Sequence, residues 1–238
     1  MSTGAHLAAD TSMGAVTLNV ADLDTMTAYH RDGVGLTVLE QTGPKVTLGR
    51  PGRPVVVLVR TPEPRYASPG EAGLFHTDIL LDTEAALAAA LDERGLTREP
   101  IGDARVGHIH LSVGDVATAR DFYATRLGFD VTLALGDQAV FVSAGGYHHH
   151  MAMNVWKSGG AGRRQQTLGL GRVDIEVLSD DDVGELTERM RHYRIPIQDD
   201  GATVRFEDPW ANTVRLSTAS HPKGTESSPN SVIGPDAL

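Results

Sequence analysis

The chain repeats itself, and the repeat limits what it can fold into. Gly14-Ala-Val-Thr-Leu-Asn-Val-Ala-Asp22 returns as Gly107-His-Ile-His-Leu-Ser-Val-Gly-Asp115. At the same spacing of 93 (107 less 14), Thr25/Thr118, Gly35/Gly128 and Val38/Val131 are identical, and Tyr29 meets Phe122. A weaker pair, Gly73–Leu81 and Gly169–Val177, is spaced by 96 (169 less 73). Related starts at Gly14, Gly73, Gly107 and Gly169 mean one supersecondary unit copied along the chain, each copy burying its apolar face against another.

The unit is clearest in its third copy. Ile109, Leu111 and Val113 alternate with His108, His110 and Ser112, as in a half-buried strand. After Asp115 the period becomes helical, with Val116, Ala119, Phe122 and Tyr123 on one face. Gly128 can end that helix. Phe129–Leu135 and Ala139–Ser143 follow as strands around a Gly136-Asp137 turn. The first copy reads likewise: a strand over Gly14–Val20, a helix from Leu23 capped by Asp22 or Asp24, and strands at Leu36–Gln41, Lys45–Leu48 and Pro54–Arg60. The fourth gives a strand at Gly171–Leu178, a helix from about Ser179 to Tyr193, and three strands to Ser217.

The H-x-x-L-x-V-x-D openings, followed by F-Y and L-G-F, resemble the vicinal oxygen chelate superfamily: glyoxalase I, extradiol ring-cleaving dioxygenases and bleomycin-resistance proteins. Ala72–His76, Val106–Asp115 and Ser143–Trp156, with its Gly-Gly-Tyr-His-His-His-Met-Ala-Met-Asn-Val-Trp run, are most similar to the bacterial catechol-2,3-dioxygenase-like group. The resemblance implies an α+β fold of tandem βαβββ modules, forming two open, cup-shaped mixed sheets with helices outside. It divides the chain into a disordered N-terminus (1–12), an N-terminal domain (13–104), a C-terminal domain (105–217) and a disordered tail (218–238).

The second copy is short. The fourth runs 49 residues from Gly169 to Ser217; the second has 34 from Gly73 to Val106. A strand at Leu74–Leu81 and a helix at Glu84–Arg94 leave too little chain for further strands of five or six residues, so the module reads as truncated after about residue 95. In the family the missing part carries a D-P-D-G-N-x-x-E segment whose glutamate resembles a metal ligand. Truncation also leaves a sheet edge unpaired, which predicts a homodimer.

Composition narrows the chemistry. With no cysteine, only His, Asp and Glu are left as metal ligands. A net charge of −10 argues against nucleic acid and anionic membranes. No apolar run approaches a membrane span and Met1–Ser12 lacks a signal-peptide pattern, so the expected location is cytoplasmic by default.

The resemblance implies Fe(II) or Mn(II) with candidate ligands at His76 and His108, acting on a small catechol-type aromatic; the adjoining run offers His148 as a further ligand and His149, His150 and Tyr147 as catalytic groups. An extradiol centre takes two His and one carboxylate on one face of the metal. Here the chain departs from the family, with Ala15 at the first copy's ligand position and Arg172 and Arg215 at the fourth's. A guanidinium stays protonated and cannot ligate a metal. The alternative function is therefore a metal-free protein sequestering a small aromatic or anionic ligand. If the third and fourth copies pair, Arg172 and Arg215 share a cup with His108 and form an anion pocket; otherwise they pair locally with Asp174 or Glu176. His148 and His150 are expected on one face of an extended segment and His149 on the other. For each histidine a hydrogen-bonded structural role stays open, as does packing for Tyr147; His110 and Trp210 are read as structural.

Overall fold

The computed structural model describes residues 6–63, 65–81 and 104–219. Thirteen strands form two mixed sheets: β1 Ser12–Val20, β2 Thr37–Thr42, β3 Lys45–Arg50, β4 Arg53–Arg60, β5 Gly73–Leu81, β6 Ala104–Ser112, β7 Asp130–Leu135, β8 Ala139–Ser143, β9 Met151–Asn154, β10 Gly169–Val177, β11 Ile197–Asp199, β12 Thr203–Glu207 and β13 Thr213–Thr218. The larger sheet runs β11-β12-β13-β10-β1-β4-β3-β2 and the smaller β5-β6-β9-β8-β7. Helices α1 (Leu23–Ala28) and α2 (Val116–Arg120) each continue as a π-helical turn, to Val34 and Arg126; α3 spans Asp180–His192.

The repeat is visible in the local chemistry. Asp22 caps α1 by accepting from Thr25 N, and Asp115 caps α2 by accepting from Thr118 N. A carboxylate there satisfies an otherwise orphaned helical N–H. Gly35 (φ 91°) and Gly128 (φ 97°) both take the left-handed conformation that ends the helical segment. Ser179 and Asp182 close a capping box on α3.

The copies do not pair in sequence order. β5 and β6 are antiparallel neighbours, so the second and third copies share the smaller sheet. β1 and β10 are antiparallel neighbours, so the first and fourth share the larger one. The sheets therefore do not divide at 104/105, and the pairing of third with fourth copy is not what forms. Once consecutive copies join through their first strands, the outer two are left with matching edges. The larger sheet has eight strands and the smaller five; the difference is the three C-terminal strands that the second copy lacks among the described residues. The expected Glu84–Arg94 helix and the point of truncation lie outside the described residues, as does the tail from residue 220.

One continuous core joins the sheets. Val16, Leu58, Ile109, Leu111, Met151, Met153, Val173, Ile175, Val214 and Leu216 belong to it, each at most 1% exposed. The N-terminal segment is docked rather than free: Leu7 N donates to Gly128 O at 2.7 Å and Leu7 packs on the core. Tyr123 OH, from the third copy, donates to Asp208 Oδ2 in the fourth at 2.9 Å. Asp208 also accepts from Trp210 N, Asn212 N and Asn212 Nδ2, which holds the Asp208–Asn212 turn around Ala211 in a left-handed conformation (φ 64°). No helix among the described residues is long and apolar enough to cross a membrane.

Candidate metal centre

On β6, Ile109 and Leu111 face the core, which turns His108 and His110 to the other face of the smaller sheet. Later in the third copy, after β8, the alternation fails. Residues 144–150 are a loop rather than an extended segment, with Gly145 (φ 62°) and Gly146 (φ 78°) left-handed. A Cβ on Gly145 would overlap Ala9 O, so the loop and the docked N-terminal segment fit only with glycine.

This loop corrects the predicted arrangement of the three histidines. His148 and His149 go together, with ring centroids 6.1 Å and 4.3 Å from His108. His150 turns inward and is 8% exposed. Its Nδ1 accepts from Ala144 N at 3.2 Å and meets Ser143 Oγ at 3.1 Å, and its backbone joins both β8 and β6. The geometry gives His150 a loop-holding part. Tyr147 stacks on His148 and His150, at 4.2 Å and 4.8 Å.

One ligand atom from each of His108, His148 and His149 lies within 4.8 Å of the others. His76, on β5, is outside that triad but adjacent, its Nε2 3.1 Å from His108 Nε2. A fifth imidazole, His110, is 4% exposed, its Nε2 3.0 Å from Asn154 Nδ2. Phe75, Phe141 and Trp156 ring this cluster, each within 6 Å of His110.

Burial favours the neutral form of His108, His110 and His149. Burial pushes His110 down to about 4, helped by the neighbouring imidazoles of His76, His108 and His149. Burial, then the imidazoles around it, brings His149 to about 4 as well. His108 is lowered by burial, against the opposing pull of Asp78. A neutral imidazole offers a lone pair without a proton to displace, which is what a metal requires.

Sequence reasoning missed Asp78. Its Oδ2 lies 3.8 Å from His108 Nδ1, a buried atom with no hydrogen-bond partner among the described residues. A Cβ on Gly107 would come within 2.7 Å of that carboxylate oxygen, so Gly107 makes its position available. A signal was present: Asp78 lies two residues after His76, on the same face of one strand. Phe75, Phe141 and Asn154 were also unforeseen, because only the paired strands bring them together.

Arg172 and Arg215 are in the other sheet. Asp174, 1% exposed, accepts from Arg172 Nε at 2.6 Å and from Arg215 Nη2 at 2.5 Å. The expected cup shared with His108 does not form, because β10, with β13 on its other side, pairs with β1 of the first copy rather than with the third. The local pairing with Asp174 is what the structure contains.

Comparison with known proteins agrees with this architecture. Residues 105–216 match the Glyoxalase/Bleomycin resistance protein/Dioxygenase superfamily. The catechol-2,3-dioxygenase of Bacillus subtilis (strain 168) is 32% identical over 160 residues, which are 66% of this chain and 55% of that protein. The chain thus matches just over half the length of this relative. Among solved structures, a Bacillus subtilis subsp. subtilis strain 168 protein whose name assigns it to the dioxygenases superposes with a TM-score of 0.65 at 12% identity, covering 88% of this chain and 86% of that one. Glyoxalase I from Zea mays superposes with a TM-score of 0.59 at 17% identity, covering 88% and 93%. Residues 105–216 therefore match the Glyoxalase/Bleomycin resistance protein/Dioxygenase superfamily, and the described chain has the fold of these solved structures.

Proposed function

We propose that the smaller sheet binds a divalent metal, Fe(II) or Mn(II), and that the chain acts there as an extradiol dioxygenase on a catechol-type aromatic. The observation that carries the reading is the convergence of His108, His148 and His149, with ligand atoms within 4.8 Å, next to Phe141, whose ring is 5.2 Å from that of His149. The donor set suits a metal that accepts nitrogen ligands. The relative's name supplies the reaction. The usual two-His, one-carboxylate set is not assembled, since the cluster among the described residues contains imidazoles only.

The residues divide the work. His108, His148 and His149 would hold the metal. Asp78 lies 3.8 Å behind His108 Nδ1, too far for a hydrogen bond but near enough for its charge to favour a proton there and leave the opposite nitrogen as the ligand. Phe75 and Trp156, with ring centroids 5.5 Å apart, offer faces for an aromatic substrate. His76, exposed and within reach of His108, is placed to exchange a substrate hydroxyl proton. A bound iron would contribute Lewis acidity and a path for electrons from the catechol, which is the reductant, to O2.

The test is elemental analysis of chain purified anaerobically with iron and manganese supplied, followed by oxygen uptake with catechol. Near-stoichiometric metal that is lost in His108→Ala, together with catechol-dependent oxygen uptake, is the expected result. Metal without uptake would reduce the reading to a metal-binding protein. No metal in either protein would overturn it and favour the sequestering function, which the missing carboxylate already recommends.

A further inference from the structure

The larger sheet carries the same strand frame with different chemistry. Its central strands β1 and β10 correspond to β6 and β5 through the repeat, and Arg172 occupies the place that His76 has in the smaller sheet. Val173, Ile175, Val214 and Leu216 face the core, so Arg172, Asp174 and Arg215 lie on the opposite face.

Three observations concentrate positive charge there. A single carboxylate, Asp174, serves two guanidiniums. Arg205 on β12 sits directly opposite Arg215 on β13, an arrangement of like charges that destabilises a sheet unless something compensates it. Arg205 has no ion-pair partner within 4.0 Å among the described residues. The one other acid on this stretch, Glu176, is pushed up by burial, which outweighs the opposing pull of Arg53 and Arg215 and is reinforced by Asp174, so it is weakened as a counter-charge.

Two buried donors also lack partners on this face. Arg215 Nε and Thr17 Oγ1 have none among the described residues, and Thr17 is the cross-strand neighbour of Arg172. At the Arg205 end of the row lies a cavity of about 440 Å³, lined in part by Arg163, Gln198, Arg205, Glu207 and Thr213; Arg172 and Arg215 are not in its lining. Arg163 is itself neutralised by Glu207, which leaves Arg205 as the cation presented to that space. The size is that of a small-molecule site.

We infer that this face is a second ligand site, in which Arg205, Arg215 and Arg172 take the oxyanion group of a small organic molecule. The planar fork of a guanidinium matches a carboxylate or a phosphate with two parallel hydrogen bonds. An arriving anion relieves the Arg205–Arg215 opposition and supplies acceptors to the unpaired donors. A fully satisfied structural triad would need none of this, having neither the third guanidinium nor the orphaned Nε.

The test is isothermal titration calorimetry of the full chain in EDTA at low salt, with sodium benzoate and inorganic phosphate as separate probes. Saturable binding of at least one probe is expected, weakened about tenfold or more in Arg205→Gln and Arg215→Gln, since each removes a charge-assisted contact. Preference for benzoate identifies the oxyanion as a carboxylate, and preference for phosphate as a phosphate. Arg205 is exposed, so its variant leaves the fold intact even where the Arg215 variant does not. His108→Ala should bind the probe as the parent does. No saturable binding of either probe, or binding unchanged in Arg205→Gln, overturns the inference. Loss of binding in His108→Ala also overturns it, by placing the anion at the imidazoles.

Discussion

Acid should unfold the metal-free chain through two buried imidazoles, and the structure gives the size of the effect. Asn154 Oδ1 accepts from Trp156 N at 3.1 Å, which turns its Nδ2 toward His110 Nε2 at 3.0 Å. His110 therefore accepts at Nε2 and is neutral. His150 accepts at Nδ1 from Ala144 N and is neutral for the same reason. Burial, the first cause in both, brings each ring to about 4 from the ordinary 6.5. A base whose folded value is depressed contributes stability above its unfolded value and loses it as pH falls through the folded one. In the window between about 6.5 and 4, each ring is protonated in the unfolded chain and neutral in the native one. The slope is then roughly 1.4 kcal/mol per pH unit per ring, and the whole loss roughly 3 kcal/mol per ring. Buried Asp208 acts in the opposite sense, because burial raises it and the native state takes up its proton earlier. Comparison with His110→Gln cancels that contribution, and the glutamine oxygen can replace the Nε2 acceptor. Urea unfolding followed by circular dichroism, in EDTA across this window, should show the slope of the variant reduced by about one proton. An identical slope in parent and variant would refute the neutral-ring argument.

Three further outcomes follow from single contacts. Tyr123→Phe removes a buried bond to Asp208 that ties the two sheets together; a loss of about 2 kcal/mol is expected, read as a lower urea midpoint at unchanged m-value. Gly145→Ala forces a Cβ into Ala9 O at positive φ, so it should both destabilise the chain and lower the metal stoichiometry by displacing His148 and His149, while a stable variant with full metal would contradict the loop geometry. Asp78→Asn removes the charge behind His108 and should weaken metal binding by about tenfold or more in competition with a chelator, with little change in the melting temperature of the metal-free chain.

The sequence made the local structure legible because caps and helix ends depend on near neighbours. Asp22 and Asp115 cap, and Gly35 and Gly128 terminate, as the repeat predicts. The histidine run was harder. A period of two holds only while the backbone stays extended, and Gly145 and Gly146 break it, so His149 joins His108 and His150 does not. Sheet partners were the least legible. The strand that lies beside β10 is set by edges more than a hundred residues away in the chain, and no local pattern distinguishes β1 from β6 as its neighbour. That one choice moved Arg172 and Arg215 out of the histidine cup. Their pairing with Asp174 was legible, because residues two apart on a strand share a face.

The two sheets show how one frame separates two chemistries. In each, a pair of antiparallel first strands, β5 with β6 or β1 with β10, presents polar side chains opposite a core of aliphatic ones. Imidazoles respond to that half-buried setting by giving up their protons, as His110 and His149 do at about 4, and so become donors of lone pairs. Guanidiniums cannot respond in this way and keep their charge. Burial therefore pushes the histidine face toward cations and leaves the arginine face in need of an anion. The carboxylates follow the same division. Asp174 is consumed by Arg172 and Arg215, whereas Asp78 stands 3.8 Å from His108 and is free to orient it. Exchanging His76 and Arg172 between the sheets would test this directly: His76→Arg, which sets a guanidinium beside the ligand His108, should weaken metal binding although all three ligands remain, while Arg172→His, beside Asp174 and without two more imidazoles, should not create it.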